Sequence, residues 1–438
     1  MWHYYFFLGI RNLRRNPLLT ALMILTLAIG VAASVSTLTI LHVMSGNPIP
    51  HKSDRLLVPV VDVFPPDGLL PSAVSGQDQL TYRDVSNFLN SKQGARRTGV
   101  YGIYVNIEPT RADLNVTPVE GLAVSSDYFA MFEVPIAQGR TWTEAEEKSA
   151  AKVIVLSALQ SEKLFGKETA VGKRLRIEGN EYDVIGVMGP WNPVPRYTHL
   201  VTGGREGFGG YDGLYMPFGT AIANQVNANG SVWCVEKTGP GFQGMLDAEC
   251  VWLQFWFEVN SASDRASIKD YLNSYLAEQR KLGRFPRPVP AQLFDVMEWM
   301  SYLHIVRDDT KLSAWLAFGF LLLCLVNTSG LLLAKFSSRS AEVGVRRALG
   351  ASRKEIFGQF LIETGVIGLA GGVLGLLLSF AGLWLIAQQS SEMAVLAKLD
   401  TTMLAITFLL AVGTSVMAGL LPTWRASQVT PAIQLKSQ

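Results

Sequence analysis

Four stretches of this sequence are apolar for as long as a helix needs to cross a bilayer, about 20 residues. They cover residues 18–44, 312–334, 360–387 and 403–421. Within lipid every backbone polar group must be paired inside its own segment, so each stretch is predicted to be a helix. The first exceeds the apolar core of a secretion signal, and no small-residue cleavage site follows it, so it reads as a retained anchor. The 267 residues from 45 to 311, between the first and second stretches, are far more polar and too long for a simple loop. The fold class expected is therefore a membrane protein with four transmembrane helices and a large α+β extracytoplasmic domain between helices 1 and 2.

Formal net charge is only +2 over 438 residues, which gives no basis for nucleic-acid binding. The placement of the basic residues is more informative. Arg11, Arg14 and Arg15 precede the first apolar stretch. Lys335, Arg339, Arg346, Arg347, Arg353 and Lys354 lie between the second and third, and Arg425 and Lys436 follow the fourth. Residues 388–402, between the third and fourth, carry a single lysine. Short flanks rich in Lys and Arg stay in the cytoplasm. Residues 1–17 are thus expected as a cytoplasmic interfacial helix, 335–359 as a cytoplasmic connector and 422–438 as a cytoplasmic tail. Residues 45–311 and 388–402 fall outside.

Small residues recur at helical spacing within the apolar stretches. Thr26, Gly30 and Ser34 share one face of the first; Gly368 and Gly372, and Gly371, Gly375 and Ser379, do so in the third. Such faces let helices approach closely in lipid. Packing within the chain is expected for the third and contact with another subunit for the first. Glu363 is the only charge inside these limits, so no polar conduit through the helices is expected.

The outer segment mixes strand and helix patterns. Residues 152–156 read as a strand followed by a helix opened by Ser157, and "KRLRIEGNEYDVIGVM" as a hairpin turning at Gly179-Asn180. A helix over "SDRASIKDYLNSYLAEQRK" would bury Ile268, Leu272, Tyr275 and Leu276. Residues 189–250, rich in Gly, Pro and aromatics, are expected as a second lobe, and 293–311 as a helical stalk extending the second span. Cys234 and Cys250 flank a loop with no CxxC or His pair to suggest zinc. Outside the cytosol they are predicted to form a disulfide.

The chain offers little chemistry. "GKETAVGKR" has its glycines one residue too far apart for a phosphate-binding loop, and Arg174 stands where Ser or Thr would hold magnesium. The five histidines lack metal-ligand spacing, and neither a GxSxG elbow nor an HExxH helix occurs. No catalytic residue, bound metal or bound cofactor is expected.

Between the second and third stretches lies "AEVGVRRALGASRKEIFGQFLIE", residues 341–363. Ala341, Val345, Ala348 and Leu349 fall on one helical face. Arg339, Glu342, Arg346 and Arg353 fall on another, with Glu342 placed to pair with Arg346. Gly350 suits the end of this helix, and Ser352 with Glu355 makes a capping box for the next. A short helix with a defined start and stop, lying across the membrane surface, is shaped as a contact surface for another protein.

This stretch resembles the coupling segment of MacB-type permeases, the superfamily that includes FtsX and the lipoprotein-releasing permeases. "LGIRNLRRNPLLTALMILTLAIGVAA" resembles the family's entry into its first span. Residues 128–188, "YFAMFEVPIAQGRTWTEAEEKSAAKVIVLSALQSEKLFGKETAVGKRLRIEGNEYDVIGVM", resemble the MacB periplasmic core, and "GLLPTWRASQVTPAIQL" the family's C-terminal exit. The resemblance implies a bacterial inner-membrane permease subunit of an efflux or export ABC transporter, driven by a cytoplasmic ABC ATPase dimer that binds ATP and magnesium. Docking would fall on Ala341, Glu342, Val343, Val345, Arg346, Arg347, Ala348, Leu349 and Gly350. MacB carries its ATPase ahead of the first span; here about ten residues precede Arg11, so a separate ATPase chain is expected. A second permease copy or a related subunit, a periplasmic adaptor and an outer-membrane channel are further implied partners besides membrane lipid. ATP binding would move the outer domains by mechanotransmission. Within the same superfamily, an FtsX-like regulator of a periplasmic enzyme and a lipoprotein-releasing permease are the alternatives.

The charge distribution makes a topology prediction. A reporter inserted at Gln243 is expected to be active only outside the cytoplasm, and one fused after Gln438 only inside. The reverse pattern would overturn the orientation.

Overall fold

The computed structural model describes residues 16–63, 79–108, 115–200, 208, 211–306, 308–389, 394 and 401–428. Residues 1–15 of the interfacial helix expected over 1–17, most of the loop over 388–402 and the end of the tail lie outside the described residues. The chain divides into two compact units, Met1–Met44 with Val306–Gln438, and Ser45–Ile305. Helix α1 (Pro17–Ser45) opens the first unit.

The second unit is α+β. Its strands are β1 (Leu56–Val60), β2 (Leu80–Thr81), β3 (Arg96–Glu108), β4 (Thr117–Val124), β5 (Ile136–Gly139) and β6 (Val153–Leu156). They continue with β7 (Arg174–Ile177), β8 (Asn180–Met188), β9 (Leu214–Pro217), β10 (Trp233–Cys234), β11 (Cys250–Glu258) and β12 (Gln292–Asp295). The sheet order is β12-β1-β11-β3-β4-β9-β6-β8-β5, with β2 and β10 beside β11, and β7 beside β3 and β8. Pairs β4–β9 and β6–β8 are parallel. Helices α2 (Tyr82–Asn90), α3 (Ala158–Phe165) and α4 (Ala262–Lys281) complete it, with several one-turn helices.

β11 is buried at all nine positions, the signature of a strand covered on both faces. Phe255 and Phe257 point toward α2 and α4, where Phe88 meets them at 5.5 and 6.0 Å and Tyr275 at 5.2 Å between ring centres. α4 starts at its Ser261 cap and buries Ile268, Leu272, Tyr275 and Leu276, the face read from the sequence. Trp256, on the other side of β11, packs against Phe132 and Tyr197 and donates its indole N–H to the Thr198 carbonyl at 3.1 Å. Gln254 on that side donates to the Leu200 carbonyl.

These contacts correct the second lobe expected over 189–250. Tyr197, Thr198 and Leu200 cover the sheet, β9 lies within it between β4 and β9's neighbour β6, and Leu214, Met216, Phe218 and Leu246 belong to its core. The segment lacks periodicity because its aromatics are spent on covering a face irregularly. The stalk is corrected too. Residues 292–295 form β12 against β1, a short helix runs only from Val296 to Tyr302, and a new helix starts at Asp308. Pairing of Ile177 with Asn180 makes Glu178 and Gly179 the hairpin turn, one residue earlier than expected. Both have positive φ, 46° and 77°, as a two-residue turn of this hand requires.

Buried charges are paired. Glu258 lies 2.9 Å from both Lys52 and Arg96. Asp84 accepts from the Tyr275 hydroxyl at 2.6 Å and from Arg284 at 2.9 Å, and Arg284 also bonds Glu249. Cys234 and Cys250 lie directly opposite on β10 and β11 and form a disulfide.

The first unit continues with α5 (Asp308–Ser337), α6 (Ser340–Ala348), α7 (Arg353–Ala387) and α8 (Thr401–Ser427). α1, α5 and α7 are long and apolar enough to cross a membrane. α8 runs for 27 residues with Pro422 inside it.

His199 generates a pH prediction. Its Nε2 accepts the Gly102 N–H at 3.0 Å, so the ring is neutral in the fold, and burial pushes its pKa down to about 4. Because the folded value lies below the unfolded one, the contribution to stability is complete above about pH 6.5. It is lost as pH falls toward 4, by at most about 3 kcal/mol, since the ring is only partly shielded from solvent. Denaturant unfolding followed by tryptophan fluorescence, in detergent, should show wild type losing more stability over this window than His199→Asn. Parallel pH curves would refute the assignment.

Candidate coupling site

Three helices converge around the connector singled out from the sequence. α5 ends at Ser337, two residues later α6 begins, and four residues after α6 the chain enters α7. Each junction has a local cause. The Gly350 φ of 103° follows the last turn of α6, a left-handed position that glycine adopts without strain. Ser352 and Glu355 then form a reciprocal capping box: the Ser352 Oγ accepts from the Glu355 N–H, and the Glu355 carboxylate accepts the Ser352 N–H at 2.8 Å.

α6 has one fastened face and one open face. Val343 is buried in a cluster with Met23, Leu27, Leu332, Phe336, Ile356, Phe360 and Ile367, and Gly344 is buried beside it. Val343 therefore cannot contribute to the docking set assigned to it from the sequence: the helical period turns it away from Val345 and into the bundle. Arg346 donates to Gln359 of α7 at 2.9 Å and pairs with Glu342. Arg347 is half-buried; Ala341, Ala348 and Gly350 are exposed. Val345 is 54% and Leu349 83% exposed, large apolar side chains on a surface among charged neighbours.

Beneath α6 lies a cluster that sequence reasoning did not assemble. Glu363 of α7 is fully buried; its Oε1 is 2.8 Å from the equally buried Lys335 Nζ at the end of α5. Its Oε2 is 3.2 Å from Arg339, which precedes α6. Phe336 and Phe360 pack beside it, ring centres 4.3 Å apart. The available signal was Glu363 itself, a lone carboxylate in an apolar segment, whose partners are residues counted as loop charges.

The small-residue faces pack within the chain. A Cβ on Gly30 would sit 3.0 Å from that of Cys324 in α5, and Ser34 donates to the Ala317 carbonyl at 3.1 Å. The contact with another subunit expected for this face is thus corrected at Gly30 and Ser34, which α5 occupies. Thr26 bonds its own helix, donating to Leu22. Gly371 meets Leu27, Gly375 meets Ala28 and Val31, and Gly368 and Gly372 are buried in α7. α8 joins through Ser329, which donates to the Ala418 carbonyl at 2.8 Å, and through Gly419 against Thr364. Among the described residues no group of three His, Cys, Asp or Glu side chains could hold a metal ion.

The chain thus combines an apolar helical unit, presenting a short, fastened amphipathic helix, with a large α+β unit inserted after its first helix. Residues 20–275 match the MacB-like periplasmic core domain and residues 314–431 the FtsX-like permease C-terminal domain. The chain belongs to the MacB-type ABC transporter permeases. It is 25% identical over 326 residues to the uncharacterized ABC transporter permease YvrN of Bacillus subtilis, covering 74% of this chain and 71% of that one. It is 24% identical over 463 residues to the macrolide export ATP-binding/permease protein MacB of Syntrophobacter fumaroxidans, covering 98% of this chain and 63% of that one. It thus spans less than two thirds of that MacB relative's length. The periplasmic region of MacB from Actinobacillus actinomycetemcomitans aligns to 57% of this chain and 92% of its own, with 15% identity and a TM-score of 0.35.

The close helix contacts are testable. In Gly375→Val, the new Cβ would lie 3.0 Å from both the Ala28 carbonyl oxygen and the Val31 Cβ, forcing α1 and α7 apart at a cost of about 1–3 kcal/mol. Gly365→Ala meets nothing within 4 Å and should be neutral or slightly stabilising, since alanine favours helix by up to about 1 kcal/mol. Thermal unfolding in detergent should separate the two; equal midpoints would refute the packing argument.

Proposed function

We propose that this permease subunit couples ATP hydrolysis on a partner ABC ATPase chain to movement of its extracytoplasmic unit, in export from the cell envelope. In this reading α8 is a fourth span, both chain ends are cytoplasmic, and α6 is the docking handle. The observation that carries the proposal is the two-faced geometry of α6: Val343 and Gly344 are fixed in the bundle while Val345 and Leu349 stand exposed. A helix held on one side and apolar on the other is suited to fill a groove on a second protein and to pass on its displacement. A push rather than a pore is favoured by the charge distribution, since the ionic cluster of Lys335, Arg339 and Glu363 sits where α5, α6 and α7 meet. ATP and magnesium enter only through the ATPase, and work in pairs of permease chains completes the proposal.

Val345→Asp and Leu349→Asp test it. Both positions are exposed, so folding should be little affected, whereas a charge in the partner's groove should cost about 2 kcal/mol or more of docking free energy. That corresponds to association at least about 30-fold weaker. Arg346→Ala, on a half-exposed pair, should cost under about 1 kcal/mol. The measurement is copurification of every associated chain together with ATPase rate in lipid. Full binding and full stimulation by Val345→Asp would refute the handle. An exported-substrate adaptor among the copurifying chains favours export; a cell-wall hydrolase would turn the assignment to FtsX-like regulation.

A further inference from the structure

We propose that Glu363 is the positioning residue that makes α6 and α7 move as one body, so that docking at α6 is converted into movement of the span. This deepens the function proposed above and rests on it. Three chain segments meet at the Glu363 carboxylate: the last turn of α5 through Lys335, the entry to α6 through Arg339, and α7 itself. Without these ties the link from α5 to α6 is a short turn, Ser338 and Arg339, and the link from α6 to α7 is a four-residue turn containing Gly350. Each turn could absorb a displacement by bending.

The ion cluster prevents that. Lys335 and Glu363 are both fully buried, with Phe336, Phe360 and Ile367 nearby in the same core. A buried ion pair that loses one partner leaves an uncompensated charge in apolar surroundings, so the cluster does not loosen by degrees. Arg339 adds the connection to α6, reaching both carboxylate oxygens at 3.2 and 3.4 Å. A tie that is lost whole rather than by degrees passes a displacement from α6 to α7 instead of absorbing it. Arg346 to Gln359 is a second, more exposed fastening between the same two helices.

The test uses the permease with its copurified ATPase in lipid, reading two quantities for each variant: the amount of ATPase bound, and the ATP-dependent change in hydrogen exchange of residues 45–305. Glu363→Gln should bind ATPase as wild type does, while the exchange response falls about tenfold or more, within the span of measured site-to-site couplings. Arg339→Gln removes only the connection to α6, sits at the edge of the cluster and leaves the Lys335–Glu363 pair, so it covers the case in which Glu363→Gln does not insert. It should give the same split, and Arg339→Lys should partly restore the response. A purely structural role would lower stability and both readouts together. A full response in Arg339→Gln overturns the inference, as does one in Glu363→Gln. Failure of the underlying function is seen separately, as ATPase binding that survives Val345→Asp.

Discussion

A nine-residue helix cannot hold its place by its own hydrogen bonds. Isolated helices below about 12–15 residues are marginal in water, and α6 has nine. It persists because Val343 is buried among side chains of α1, α5 and α7, and because a capping box fixes where the next helix begins. Everything the open face of α6 can present depends on that fastening. If Val343 left its pocket, Val345 and Leu349 would have no defined position. The burial of one valine and the exposure of another two residues later are therefore one structural fact, set by helical period.

The α+β unit solves a different problem with the same economy. β11 lies between two covered faces, so its sequence "VWLQFWFE" carries almost no alternation in polarity. One face is closed by regular helices, the other by the irregular chain around Tyr197 to Leu200. Such a covering must satisfy its backbone as it goes, which explains why Gln254 and Trp256 point polar groups at its carbonyls. Charges that enter the core do so in sets: Glu258 with Lys52 and Arg96, Asp84 with Arg284 and Tyr275. Removing one member would strand the others.

What could be read from the sequence follows the range of the interactions involved. Helix caps and faces are local, and Ser352 with Glu355, Ser157 ahead of α3, and the buried stripe of α4 are all legible. A hairpin was legible but not its register, because Glu178 at φ 46° occupies a position for which Gly179-Asn180 seemed the better pair. The stretch from 293 onward reads as helical in isolation, yet residues 292–295 are a strand because β1 offers a free edge. Residues 189–200 had no period to read, since the sheet face they cover is assembled from distant segments. The docking set read from the sequence takes in Val343 along with Val345 and Leu349; only the position of the bundle decides which side of α6 is covered. Glu363 was visible as an anomaly, but Lys335 and Arg339 could not be paired with it, since 28 and 24 positions separate them from it across two turns.

The ionic cluster and the glycine faces divide the work of holding the membrane unit. Glycines at 30, 371 and 375 bring backbones together by removing bulk, a contact made of many small dispersion terms. The Glu363 cluster is a single charged junction whose buried pair has no gradual alternative. The described charges of α1, α5 and α7 are confined to the helix ends and to Glu363 with its partners.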